Sequence, residues 1–175
     1  MSQPVNVQTL YAGRVIDLGL ETHQLPNGRQ APFEIIRHPG GAAVLPILPD
    51  ETLLLIRQFR PAIGQMIYEI PAGRLEPGES SHSCVARELI EETGFRATEL
   101  HPLGSLWSAV GFCDEQVDLF VATGLIEAER APEPDEVIEL APVTLQYALQ
   151  RVEQGEILDS KTQIALLRYA RQKGL

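Results

Sequence analysis

The sequence predicts an α+β chain, an α/β/α sandwich with a mixed sheet held between helices and a small antiparallel β meander in front of it. Three observations predict this class. Two closely spaced apolar runs, residues 42–48 and 52–59, have the length of strands and enough apolar positions to be covered on both faces. A helix is punctuated at both ends over residues 81–93, and two further amphipathic segments close the chain. Ahead of them, an Asn-Gly pair separates two runs of strand character within the first 38 residues.

Each element follows from local chemistry. Residues 15–22 and 33–37 flank Leu25-Pro26-Asn27-Gly28-Arg29, where Asn27 and Gly28 are expected to supply the positive φ angles of a tight hairpin. His38-Pro39-Gly40-Gly41 marks a boundary, so the predicted organisation is a β meander over 1–38 and a larger domain over 39–175. So small a meander cannot bury a core alone and must pack on the rest of the chain or on a second subunit. Pro49-Asp50-Glu51 turns the chain between the two apolar strands, and residues 67–70 form a short strand that Pro71-Ala72-Gly73 breaks. The helix over 81–93 has Val85, Leu89 and Ile90 as apolar positions, Ser80 or Ser81 as N-cap, and Gly94 just past its end. Residues 103–107, 116–122 and 138–140 read as strands, and 144–154 and 161–171 as amphipathic helices joined through Gly155. Glu127, Glu129, Glu133, Asp135, Glu136 and Glu139 lie in what reads as a solvated connecting segment with a loop at Ala131-Pro132-Glu133-Pro134-Asp135.

Composition narrows the classes of function. The 175 residues carry 14 Lys+Arg against 24 Asp+Glu, a net charge of −10, so bulk charge will not hold a nucleic-acid polymer. No apolar stretch approaches the ~20 residues needed to span a bilayer, and there is no basic-then-apolar signal region, so the expected setting is cytoplasmic and membrane-free. The only two cysteines, Cys84 and Cys113, are too far apart for a CxxC element, which argues against a disulfide framework or structural zinc. Cys84 reads as packing, and Cys113, in an acidic neighbourhood, as a poor nucleophile.

The chemistry concentrates in Gly73-Arg74-Leu75-Glu76-Pro77-Gly78-Glu79 and, after seven residues, Arg87-Glu88-Leu89-Ile90-Glu91-Glu92-Thr93-Gly94-Phe95. Glu88, Glu91 and Glu92 stand at i, i+3 and i+4, on one face of a helix, where like charges repel by a few tenths of a kcal/mol per pair, about the size of a favourable pair. Arg87 can answer Glu91 at i+4 but cannot neutralise three carboxylates, whereas hard divalent cations with oxygen ligands can. Glu76 is assigned to solvent. A solvated acidic face is the plain alternative.

Gly73 to Phe95 resembles the Nudix box, G-x5-E-x7-R-E-U-x-E-E-x-G-U with U apolar, at every fixed position. With each letter used at roughly 7%, seven fixed letters coincide by chance about once in 10⁸ starting points. The resemblance implies the Nudix fold and metal-dependent cleavage of a nucleoside diphosphate linked to another moiety. It implies Glu88 and Glu92 as principal Mg²⁺ ligands (Mn²⁺ being the alternative ion), Glu91 on a second ion, and the Ala72 carbonyl as a backbone ligand. Arg87 and Glu79 would then lock the loop onto the helix.

Flanking phrases narrow the resemblance. Arg57-Gln58-Phe59-Arg60, Tyr68-Glu69-Ile70-Pro71-Ala72-Gly73 and Gly111-Phe112-Cys113-Asp114-Glu115 look like the ADP-ribose and nucleoside diphosphate sugar pyrophosphatases, a group in which N-terminal strands commonly exchange within a homodimer. The implied partner is a small nucleoside diphosphate sugar. Arg37, Arg60 and Glu69 become candidates for phosphate and sugar contacts, with structural ion pairs as the alternative for each arginine. Glu115 is the candidate base that activates water, or an additional metal ligand. Val110 stands where many ADP-ribose enzymes carry proline, which leaves the choice among sugar nucleotides open. Trp107 and Phe112 read as core aromatics, with stacking on a base as the alternative. A different Nudix pyrophosphatase activity, on a dinucleotide or an oxidised nucleotide, and a non-catalytic nucleotide-binding module are the competing functions.

Overall fold

The computed structural model describes residues 3–132, 134 and 136–175, so Met1, Ser2, Glu133 and Asp135 of the segments above lie outside the described residues. The chain divides into two compact units, one of Met1–Gly40 with Trp107–Gln116 and one of Gly41–Leu106 with Val117–Leu175.

In the first unit, β1 (Asn6–Ala12), β2 (Asp17–Gln24) and β3 (Gln30–Arg37) form an antiparallel sheet in the order β1-β2-β3. The β2–β3 turn departs from the expected hairpin. Gly28 has φ 80° but Asn27 does not have a positive φ; the Gly28 N–H donates to the Leu25 carbonyl (2.9 Å) and the Leu25 N–H to the Arg29 carbonyl (2.8 Å). This is a turn with glycine at its left-handed fourth position, which spares Asn27 the strained angle a two-residue loop would demand. Residues 109–115 dock on the end of β3, with the Ile36 N–H on the Phe112 carbonyl (2.7 Å) and the Asp114 N–H on the Ile36 carbonyl (3.2 Å).

The second unit holds two sheets. The four-stranded sheet has the order β7-β4-β9-β8, from β4 (Gly41–Pro46), β7 (Ala72–Arg74), β8 (Phe95–Trp107) and β9 (Gln116–Glu127); β4 runs parallel to β9 and antiparallel to β7, so it is mixed. The three-stranded sheet, β10-β5-β6, is antiparallel and comprises β5 (Leu53–Arg60), β6 (Gln65–Glu69) and β10 (Ile138–Val143). The helices are α1 (Ser81–Thr93), α2 (Leu145–Glu153) and α3 (Ser160–Gln172).

Alternation along β4 explains the sandwich. Ala42 and Val44 pack with Cys84, Val85 and Leu89 of α1, while Ala43 and Leu45 pack with Ala165, Leu166 and Tyr169 of α3. Every residue of β4 is buried because a strand covered by a helix on each face has no solvent side. Pro71-Ala72-Gly73 ends β6, as expected, but Ala72 and Gly73 then re-enter structure as β7, pairing with Ala43 and Ala42. That switch of sheets delivers the chain to the start of the acidic loop.

Candidate active site

Local chemistry sets the frame of the site. Ser80 caps α1, its hydroxyl accepting the Ser83 N–H at 3.1 Å, and Gly94 closes it at φ 75° with its N–H on the Ile90 carbonyl. Burying Val85 and Leu89 turns Glu88 and Glu92 inward beside β7, 9% and 1% exposed. Gly73 has a steric reason to be glycine: a Cβ there would lie 1.6 Å from Glu88 Oε1, in the space the carboxylate occupies.

Arg87 organises the acidic face. Its Nε and Nη2 donate to Glu79 Oε1 and Oε2, both at 3.0 Å, its Nη1 to Glu88 Oε1 (2.6 Å) and Glu91 Oε2 (3.0 Å), and Nη2 also to the Arg74 carbonyl (3.3 Å). The guanidinium therefore answers two of the three helix carboxylates as well as the loop. Its hydrogen bonds hold the Glu79 carboxyl below the usual carboxylate range, and Glu79 in turn raises Arg87.

Glu92 is the carboxylate left in excess. Its Oε2 accepts the Ala72 N–H at 3.0 Å, whereas Oε1 is buried without a hydrogen-bond partner. Burial, reinforced by repulsion from Glu88 and Glu136 and opposed by the Ala72 N–H and Arg60, pushes it up to about 8; burial also raises Glu88. Among the described residues, no three His, Cys, Asp or Glu side chains form a ready ligand cluster, and Arg87 Nη1 holds an oxygen of each of Glu88 and Glu91. An orphaned buried carboxylate oxygen beside two more carboxylates, one of them seated in the space that a Cβ at Gly73 would take, is nevertheless a donor set that fits a hard divalent cation. Ala72 meets the helix here through its N–H.

Arg60 and Glu69 come together. Arg60 Nε and Nη2 donate to Glu69 Oε1 (2.6 Å) and Oε2 (2.9 Å); Lys161 reaches the same Oε2 and also Asp159 Oδ1 (2.9 Å), the N-cap of α3. Burial alone would raise the Glu69 carboxyl, but the two cations outweigh it and hold it down. Glu69 is 1% exposed, so the Arg60 side chain, 39% exposed, is the member of the pair that meets solvent.

In the first unit Arg37 pairs with two carboxylates. Nε and Nη2 donate to Glu21 (2.8 and 2.5 Å) and Nη1 to Asp114 Oδ2 (2.9 Å), while Asp114 Oδ1 accepts the His38 N–H (2.8 Å). Glu115 Oε1 lies 3.6 Å from His38 Nδ1, which already accepts the Gly40 N–H. Trp107 and Phe112 are 46% and 55% exposed, so the core reading fails for both. Cys84 is fully buried, as packing requires, and burial pushes its thiol up to about 12.

Two residues escaped sequence reasoning. Arg130 donates through Nε to the Glu92 carbonyl (2.7 Å) and through Nη2 to the Ile138 carbonyl (3.0 Å), and the Ala128 and Ala131 N–H groups bond the Gly94 and Glu91 carbonyls (2.8 and 3.2 Å). The segment read as solvated connection is thus strapped to the C-terminal turn of α1, whose orphan carbonyls recruit its donors. From the same segment Glu136 exerts its charge on both Glu88 and Glu92. Only an arginine beside the acidic run hinted at the first, and nothing local at the second.

Comparison with known proteins bears on the family and the fold. A family model described as NUDIX domain matches residues 37–161. An ADP-ribose pyrophosphatase of Bacillus subtilis (strain 168) is 40% identical over 161 residues, 91% of this chain and 87% of the relative. A methanol dehydrogenase activator of Bacillus methanolicus is 39% identical over 164 residues, 93% of this chain and 89% of the relative. The crystal structure of an ADP compounds hydrolase shares the fold, with a TM-score of 0.84 at 23% identity over 98% of this chain and 94% of that one.

Proposed function

The chain belongs to the NUDIX family, and on that premise we propose that it hydrolyses the pyrophosphate bond of ADP-ribose or a related nucleoside diphosphate sugar. The observation that carries the reading is the buried Glu92 carboxylate with one unpartnered oxygen, beside Glu88 and Glu91 on a helix face that Arg87 only partly neutralises. The named activity of the Bacillus subtilis relative supports the substrate class.

Water adds across the P–O–P bridge: its oxygen bonds to one phosphorus, the bridging oxygen leaves with the other, and ADP-ribose gives AMP and ribose 5-phosphate. Mg²⁺, or Mn²⁺, held by Glu88, Glu91 and Glu92 with the Ala72 carbonyl, would supply charge neutralisation at the phosphate oxygens and a lowered pKa for water. The chain's own groups do the rest. Arg87 and Glu79 keep the loop on the helix, so the three carboxylates are positioned before substrate arrives. Glu69 and Lys161 fix Arg60, whose planar fork suits phosphate oxygens. Arg37, with donors on Glu21 and Asp114, steadies the loop that carries Glu115. Glu115 and Glu136 are the candidates to take the proton of the attacking water, Glu136 being the one whose charge reaches Glu88 and Glu92.

We further infer a homodimer acting on a cytoplasmic small molecule. β1 is an edge strand exposed along its whole length, and Val7, Leu10, Tyr11 and Phe33 leave the meander with uncovered apolar surface. No helix of the described residues is long and apolar enough to cross a membrane.

The test is product release from ADP-ribose, ADP-glucose, UDP-glucose, GDP-mannose and NADH with Mg²⁺ and with EDTA, for the wild type and for Glu92→Gln, Glu115→Gln and Glu136→Gln. Turnover of ADP-ribose that stops with EDTA and in Glu92→Gln is expected, and the deeper loss of the other two variants, of about 10²-fold or more, assigns the base. Undiminished turnover in Glu92→Gln would sink the ligand assignment, and no turnover of any substrate would favour a binding module.

A further inference from the structure

Among the described residues, two buried side-chain polar atoms have no hydrogen-bond partner: Glu92 Oε1 and Gln58 Oε1. An orphaned buried acceptor is uncommon because it forfeits the hydrogen bond water would give it, so its presence asks for an absent donor. Gln58 is 5% exposed, so bulk water does not meet that need.

Its place in the sheet ties it to the acidic site. Side chains alternate along β5, and the face away from Leu53 and Leu55 carries Leu54, Ile56, Gln58 and Arg60. Directly opposite residues share a face, so Glu69, opposite Ile56, lies on it too, and the Arg60–Glu69 pair brackets Gln58. Gln58 is in register with Ile67 of β6 and Ile138 of β10. The Ile138 carbonyl and the Glu92 carbonyl are the two acceptors of the Arg130 guanidinium. One side chain therefore clamps the strand position facing Gln58 to the residue that carries the other orphan. The charge of Glu92 is also felt at Arg60, two residues along the same face of β5.

The chemistry of the missing donor can be narrowed. Ionised phosphate oxygens accept and cannot donate to an amide oxygen, and among the described residues Arg60 and Lys161 direct donors to Glu69 rather than to Gln58. Small divalent ions of the Mg²⁺ class keep several waters when carboxylates bind them, and those waters are polarised into strong donors. We propose that Gln58 is a positioning residue for the cation site, its Oε1 accepting a hydrogen bond from a water of the hydrated divalent ion held by the α1 carboxylates. The inference rests on the metal-binding reading of Glu88, Glu91 and Glu92 given above.

Mn²⁺ binding, read by the free-ion electron paramagnetic resonance signal and by isothermal titration, tests it without turnover. The variants are Gln58→Met, which keeps the volume and removes the acceptor, and Gln58→Glu, which restores an acceptor. Loss of an outer-sphere partner typically weakens metal affinity about 10- to 100-fold. Gln58→Met is expected to bind Mn²⁺ at least about 10-fold more weakly, with affinity recovered in Gln58→Glu. In EDTA, Gln58→Met should melt no lower than the wild type, because the orphan is gone, while its gain in Tm on adding Mn²⁺ should shrink. Equal Mn²⁺ affinity in wild type and Gln58→Met overturns the proposal, as does a changed KM for ADP-ribose at unchanged Mn²⁺ affinity, which would aim the amide at a sugar hydroxyl. Failure of the wild type itself to bind Mn²⁺ overturns the metal reading beneath it, a distinct result.

Discussion

Glu92 shows how a single side chain can be held in a state it would not choose alone. Burial penalises its anion, Glu88 and Glu136 add repulsion, and the Ala72 N–H and Arg60 return only part of that cost. Its folded pKa, about 8, lies above its unfolded value near 4.5, so the native state binds more protons between the two. Stability from this group is complete below pH 4.5 and is lost as the pH rises toward 8. In EDTA, the wild type is therefore expected to lose Tm from pH 5 to pH 8, by on the order of 5 °C, relative to Glu92→Gln, which cannot ionise there. Parallel melting curves for the two proteins across that range would contradict the burial argument. Arg87, Glu88, Glu91 and Glu92 were legible as residues because a helix of known phase lines them up, and Glu79 because the box resemblance places it in the loop ahead. The orphaned oxygens of Glu92 and Gln58 were not, since satisfaction of a polar atom depends on every element around it.

At the level of elements, the site is a loop and a helix fitted with no spare volume. The β7 strand passes so close to α1 that a methyl group at residue 73 would overlap Glu88 Oε1. Gly73→Ala should consequently displace that carboxylate, lower turnover by roughly 10²-fold as a misplaced catalytic group does, and leave the far-UV circular dichroism unchanged. Activity within a fewfold of wild type would show that the loop can retreat. The ends of α1 were readable because Ser80 and Gly94 act on adjacent backbone. The strap from Ala128 to Ala131 was read as solvated because its charges and prolines look like a loop; its donors nevertheless satisfy carbonyls at the helix end and bring Glu136 along. The hairpin was misjudged by its Asn-Gly pair, since a five-residue connection needs one left-handed residue and Gly28 takes it.

For the whole molecule, the meander poses the problem of association. An all-exposed edge strand with Val7 at 51% and Tyr11 at 59% exposure is an invitation to pair with a second copy. The wild type is expected to sediment as a dimer at micromolar concentration and the double variant Val7→Lys, Tyr11→Lys as a monomer, while a monomeric wild type would leave the meander's apolar face to another use. Sequence alone determined the class of fold, the family and the row of carboxylates, because these depend on periodicity, caps and spacing within about twenty residues. Tertiary structure decided the rest: that Arg87 serves three carboxylates, that Glu69 is spent on Arg60 and Lys161, that Arg37 is held by Glu21 and Asp114, and that Glu92 keeps one oxygen unanswered. Partners up to ninety-two residues apart meet in those pairs, and a hydrogen bond at that separation is set by how sheets and helices close around it, which leaves no local mark in the chain.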